Sequence, residues 1–169
     1  MNELLNRNPP YGNTTVPYER TKAEIELLLK SYGVKGIQWT SYQDVDDLKF
    51  IVEVSVHGVK KEIGIQVKPP QIKIRKRVAG RGLVFTENRN QEYRLLYHWI
   101  KSKLEAVVWG LSTVEKEFLS QVIVSLPTGQ SSVGEVISSL IAEDRINSLP
   151  FLEGKKQSNE KVIDVEGKN

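Results

Sequence analysis

The sequence predicts an α+β fold: a small antiparallel sheet of three to four strands packed against a long central helix, with further helices C-terminal to it. Two patterns carry this reading. Residues 88–110 hold an apolar stripe at helical period, formed by Tyr93, Leu96, Tyr97, Ile100, Leu104, Val107 and Val108. Before it, several short segments alternate apolar and polar residues at a period of two, bounded by Gly, Pro and polar turns.

Taken in order, residues 1–19 read as a flexible arm, because Pro9, Pro10, Gly12 and Pro17 forbid a helix and no strand pattern replaces it. A single domain is expected over residues 20–148. Its first helix runs through TKAEIELLLKSYG. Thr21 and Glu24 have the spacing of a capping box, and Ile25, Leu28, Leu29 and Tyr32 form its apolar stripe. GIQWT is a short extended segment. Phe50, Val52, Val54 and Val56 then alternate with Ile51, Glu53 and Ser55 as a half-buried strand. His57-Gly58 is a tight turn with Gly at positive φ. Ile63, Ile65 and Val67 make the next strand, which Pro69 and Pro70 close. QIKIRKRV alternates again, followed by a loop in which Gly80 and Gly82 flank Arg81.

The central helix ends at Gly110, which supplies a left-handed stop. Leu95 and Trp99 widen its apolar surface, so it is expected to pack on two sides. Ser112/Glu115 and Ser132/Glu135 have capping-box spacing and open two shorter helices, with QVIVSL between them read as a strand. Residues 149–169 are polar, mixed in charge and read as a disordered tail.

Composition narrows the function classes. Without cysteine, disulfides and thiolate metal sites are excluded. The longest uncharged run, residues 118–134, is broken by Pro127, Gly129 and hydroxyls and makes no membrane span. The N-terminus lacks the basic start and apolar core of a signal peptide, so the expected location is the cytoplasm. The net charge of +3 is unevenly spread: residues 57–81 carry +7, which leaves −4 for the rest of the chain. A mildly acidic body with one basic segment suits a chain that meets a polyanion at one place.

Enzymatic signatures fall short. Asn8-Pro9-Pro10-Tyr11 matches the NPPY tetrapeptide of amino-group DNA methyltransferases, but no Gly-rich cofactor turn accompanies it. Asp46 or Asp47, Glu53 and Gln66-Val67-Lys68 resemble the acidic strands of restriction-type nucleases. The metal-binding acid expected two residues before the lysine is Gln66, a weaker ligand. His57 and His98 stand on different elements and make no zinc site. No phosphate loop has Walker or Rossmann spacing. The expectation is a non-enzyme with no metal and no cofactor.

The basic segment is different. Lys73, Arg75 and Arg77 repeat at intervals of roughly 6.7 Å along a strand, which suits successive phosphates of an extended single strand. Lys68, Lys76 and Arg81 add charge, and Trp39, Tyr42 and Tyr93 are candidates for base stacking. The competing account is an edge strand whose cations prevent sheet-to-sheet aggregation.

Three stretches, TKAEIELLLKSYG, IKSKLEAVVWGLSTVEKEFLSQVIV and LPTGQSSVGEVI, resemble a family of small uncharacterised proteins encoded by bacteriophages and prophages. The resemblance covers about residues 21–146. It implies a viral or proviral origin and action inside an infected cell, and it transfers no activity or site residue. The basic segment departs from the apolar, Pro-rich ending of that family's hairpin. The helix–three strands–helix order also resembles double-stranded-RNA-binding domains and single-strand annealing proteins in topology only. The resulting expectation is a viral DNA-binding protein for single-stranded DNA, acting in replication or recombination. The alternative is an interaction module that assembles with itself or with another protein, and a metal-dependent nuclease comes third.

Overall fold

The computed structural model describes residues 10–143 and 145 apart from 43, 44, 79 and 81, with residues 75–78 described by their backbone alone. The arm before residue 10, Arg81 and the tail at 149–169 therefore lie outside the described residues. Among the described residues the fold is α+β, with a three-stranded antiparallel sheet, two separate two-stranded sheets and four helices. By compactness the chain divides after Val136 into two units, residues 1–136 and 137–169. Of the second, the description covers the last turns of a helix and a Glu143–Arg145 ion pair.

In the first unit, helix α1 (Tyr18–Ser31) leads into β1 (Gly36–Tyr42), β2 (Val45–Val56) and β3 (Val59–Val67), which pair in the order β1-β2-β3. The register puts Ile37, Phe50 and Ile65 side by side on one face, and Trp39, Leu48 and Val67 beside them. Alternation along β2 does the rest. Asp46, Leu48, Phe50, Val52 and Val54 are buried, while Ile51, Glu53 and Ser55 face out. The β2–β3 turn is His57-Gly58 with φ of 50° and 77°, the left-handed pair of a two-residue hairpin.

Helix α2 (Arg89–Val108) lies with α1 against the buried sheet face, and Ile25, Leu29, Phe50, Tyr93, Leu96, Ile100, Leu104 and Phe118 fill the layer between. Phe50 meets the edge of Phe118 at 5.6 Å between centroids, a favoured aromatic geometry. The apolar stripe read from sequence holds as far as Leu104. Val108 is 66% exposed, because α2 outruns the layer at its C-terminal end.

Several local expectations change. The sequence suggests a fourth strand of one sheet, but β4 (Lys73–Val78) pairs with β5 (Gly82–Glu87) in a sheet of its own. The residues expected to be a loop before the central helix are thus half of a hairpin. QVIVSL does contain a strand, β6 (Ile123–Leu126), which pairs with β7 (Gly129–Ser132). Of the three capping boxes only Ser132/Glu135 forms. Glu135 N–H donates to Ser132 Oγ at 3.2 Å, and Ser132 N–H donates to Glu135 Oε2 at 2.9 Å, opening α4 (Val133–Ala142).

Thr21 is no cap, because α1 starts a turn earlier and Thr21 is buried inside it, its hydroxyl donating to Pro17 O. The orphan N–H of Tyr18 is met instead by Asn90 Oδ1 of α2 at 2.9 Å, so one helix caps another. Near Ser112 the helix is a single turn, α3 (Val114–Glu117), whose N-cap position is Thr113 rather than Ser112 and carries no side-chain cap. A 3-10 turn, Leu119–Gln121, connects α3 to β6.

The packing sets a stability contrast on α2. Leu104 is 2% exposed, so Leu104→Ala should cost about 2–5 kcal/mol in denaturant unfolding. Lys101 makes only a surface ion pair with Glu105, so Lys101→Ala should cost under about 0.5 kcal/mol. Equal costs would mean that the helix buries a different face.

Candidate nucleic-acid interface

Three segments converge at one end of the sheet: the paired ends of β1 and β2 at Ser41 and Asp46, the start of α2 and the root of the β4–β5 ribbon. Asp46 organises them. It stands on the buried face of β2 with its side chain 4% exposed. The Ser41 hydroxyl from β1 and the Tyr93 hydroxyl and Arg89 guanidinium from α2 all donate to its carboxylate. Burial alone would raise the pKa of the Asp46 carboxyl. The Ser41, Tyr93 and Arg89 contacts outweigh it and hold the carboxyl below its ordinary range.

Arg89 also lies 4.4 Å over the Tyr18 ring, Tyr18 packs on Tyr93, Tyr93 stacks on Trp39, and Lys22 caps the Trp39 ring at 4.5 Å. One continuous row of cations and rings ties α1, the sheet and α2 together.

The ribbon is fixed at its root by Ile72. Its N–H donates to Glu92 Oε1 at 2.7 Å, and its carbonyl accepts from Asn88 N–H at 3.1 Å. Glu92 is buried in the first turn of α2, and this burial pushes its carboxyl upward. Beyond the root, the ladder pairs Lys73 with Glu87, Arg75 with Phe85 and Arg77 with Leu83. Cross-strand partners stand on one face, so the positions of the three alternating cations share a face with Phe85 and Leu83. Both are exposed, at 66% and 68%. Lys73 is exposed too, and Lys68 is exposed just past the end of β3.

The stacking candidates separate. Tyr42 is 71% exposed at the β1–β2 connection, at the same end as the ribbon root. Trp39 is half-buried between Lys22 and Tyr93. Tyr93 is 1% exposed with its hydroxyl on Asp46, so its ring belongs to the core and is closed to a base. An apolar stripe and a stacking surface look alike in sequence, and on Tyr93 the stripe is the correct reading. Sequence reasoning did not single out Arg89, Glu92, Leu83 or Phe85. The β5 pair was the most accessible: Leu83-Val84-Phe85-Thr86 after a Gly-flanked tip is a hairpin signal. The Asp46–Arg89 pair spans 43 residues and leaves no local signature.

The acidic residues that suggested a nuclease do not assemble. Asp46 is taken up as described, Asp47 Oδ2 accepts from Gln66 Nε2 at 2.6 Å, and Glu53 is paired with Lys35 and Lys60. Among the described residues no group of three or more His, Asp or Glu side chains could hold a metal ion, and no helix is long and apolar enough to cross a membrane. His98 is half-buried and stacks on Tyr11 at 4.5 Å, which lays part of the Pro-rich arm on α2. Gln91 Nε2 donates to Pro10 O at 3.0 Å beside it. Comparison with protein families, with curated proteins and with solved structures found no match.

Asp46 gives a pH test. Its proton is bound more weakly in the folded chain than in the unfolded one, where the ordinary value is 3.8. The stability it contributes is therefore full above about pH 4 and is lost as pH falls through the lower, folded value. Asp46→Asn should cost on the order of 2–3 kcal/mol at pH 7, limited by the partial exposure of Arg89. Compared by urea unfolding, the variant and wild type should converge as the pH approaches 2. A constant gap would contradict an ionised hub.

Proposed function

We propose that this protein binds single-stranded nucleic acid, DNA foremost, without catalysing a reaction on it. The observation that carries the reading is the β4–β5 ribbon. It concentrates the positions of Lys73, Arg75 and Arg77 on one face beside exposed Phe85 and Leu83, with only Glu87 opposing them. Cations along a backbone track paired with apolar surface suit phosphates and unpaired bases together. A duplex groove offers phosphates and base edges but hides base faces, so the exposed Phe85 favours a single strand over a duplex. Lys68 and Tyr42, at the ribbon's end of the sheet, extend the surface. In the sequence, Lys76 and Arg81 add positive charge to the same basic segment. The resemblance of three stretches to bacteriophage and prophage proteins supports a viral or proviral origin and action inside an infected cell, and the strand-binding reading assigns that action to replication or recombination in the host cytoplasm.

A second reading has an observation of its own. Val108, Trp109, Leu111 and Leu119 are 66%, 78%, 81% and 54% exposed around the end of α2. Exposed apolar residues following one another at a helix end suit a protein interface, here in a homo-oligomer or with another protein.

Salt dependence tests the leading reading. Each phosphate neutralised on a single strand contributes about −0.7 to the slope of log affinity against log salt. Replacing Lys73, Arg75 and Arg77 together with Ala should weaken binding and flatten that slope by about 2, with sequence preference unchanged. An unmoved slope with earlier aggregation in light scattering would return β4 to edge protection.

A further inference from the structure

A second feature lies next to the ribbon root. A cleft of about 440 Å³ opens between the end of β3 and the outer side of α2, and Pro70, Leu95 and Trp99 are among its walls. That is the size range of small-ligand sites. Trp99 is 36% exposed there; Lys103 Nζ lies 4.9 Å over its ring and Phe118 meets it edge-on. Two polar groups converge on this apolar space: Lys68 and Gln121. Among the described residues Gln121 Oε1 is buried and meets no donor, an arrangement that costs free energy unless something fills it. Gln121 lines the cleft and the terminal torsion of a glutamine is soft, so rotation about it is the route by which this acceptor meets a donor in the cleft.

The cleft also has a fixed relation to the ribbon. Ile72, two residues beyond Pro70, is clamped to Asn88 and Glu92, and Leu95 and Trp99 follow on the next two turns of α2. From Glu92 to Trp99 is about 10 Å along the helix axis, of the order of one to two nucleotide steps from the ribbon root.

We infer that this cleft receives one unpaired nucleobase of the strand held by the ribbon. The inference rests on the nucleic-acid reading and specifies how bases take part. A base supplies flat apolar faces for Trp99, Leu95 and Pro70, a ring or exocyclic N–H for Gln121 Oε1, and a flanking phosphate for Lys68. An aliphatic ligand would leave the Gln121 acceptor unmet, and an inorganic anion would leave the apolar walls wet. The base is held by stacking and one amide edge, so the pocket favours bases over no base while discriminating weakly among them.

The test compares two strands of about twelve nucleotides, oligothymidylate and a fully abasic strand with the same phosphates, at about 50 mM salt. The base-carrying strand should bind the wild-type protein roughly tenfold tighter. It alone should shift the Trp99 indole N–H resonance. Trp99→Leu should cut the preference for bases several-fold, down to what Phe85 and Leu83 supply, while leaving the salt slope intact. Trp99→Phe, which keeps an aromatic wall, should restore most of it. The resonance is read on the wild-type chain, so a poorly folding variant leaves the result decisive. Binding of the base-carrying strand with the Trp99 resonance unmoved would overturn the base pocket and leave the ribbon reading in place. Binding of neither strand would overturn both.

Discussion

The carboxylate of Asp46 is the constraint on which the rest of this architecture depends. It is a charged group on the buried face of a central strand, where an uncompensated charge would be costly. Ser41, Tyr93 and Arg89 each donate to it, so the first half of α2 cannot shift without breaking a buried charge network. That fixes where α2 begins. The start of α2 in turn places Asn88 and Glu92, and these two residues hold Ile72 and hence the root of the ribbon. The same helix end caps α1 through Asn90. Fold and candidate surface thus share one anchor.

The division of labour between core and surface follows from that anchor. Apolar packing of Leu48, Phe50, Ile65, Ile100 and Phe118 supplies the non-directional part of the stability, and the Asp46 row supplies register. The ribbon needs neither to be buried nor to join the sheet. It can remain a two-stranded element with Phe85 and Leu83 exposed because its root is pinned. An isolated hairpin is marginal in water, so attachment at Ile72 matters more to it than its own ladder.

Much of the fold was legible because it rests on local patterns. Period-two alternation found β2 and β3, the 3.6-residue stripe found α2, and His57-Gly58 marked its turn. Thr21 and Glu24 misled because a capping-box spacing recurs inside helices. Here Thr21 is buried in mid-helix and the end of α1 is met from 72 residues away by Asn90. The candidate surface was half legible. Charge is visible in one dimension, so the basic strand stood out, but its partner strand brings the apolar half and that depends on pairing. Tyr93 shows the opposite failure: an aromatic beside a basic segment that three-dimensional packing assigns to the core. Trp99 and Gln121 come together only because the 3-10 turn returns to the outer side of α2, which no spacing in the chain announces.

The central claim is that one end of the sheet, from the ribbon root outward, is where a strand is held. Hydrogen exchange followed by mass spectrometry, with and without a saturating single strand, tests it over the whole chain in one experiment. The amides of residues 73–87 should slow on binding, with a smaller effect across 95–99 and 119–121 and none around 108–111. Protection confined to the exposed apolar residues near Trp109, or no change anywhere at low salt, would contradict the account.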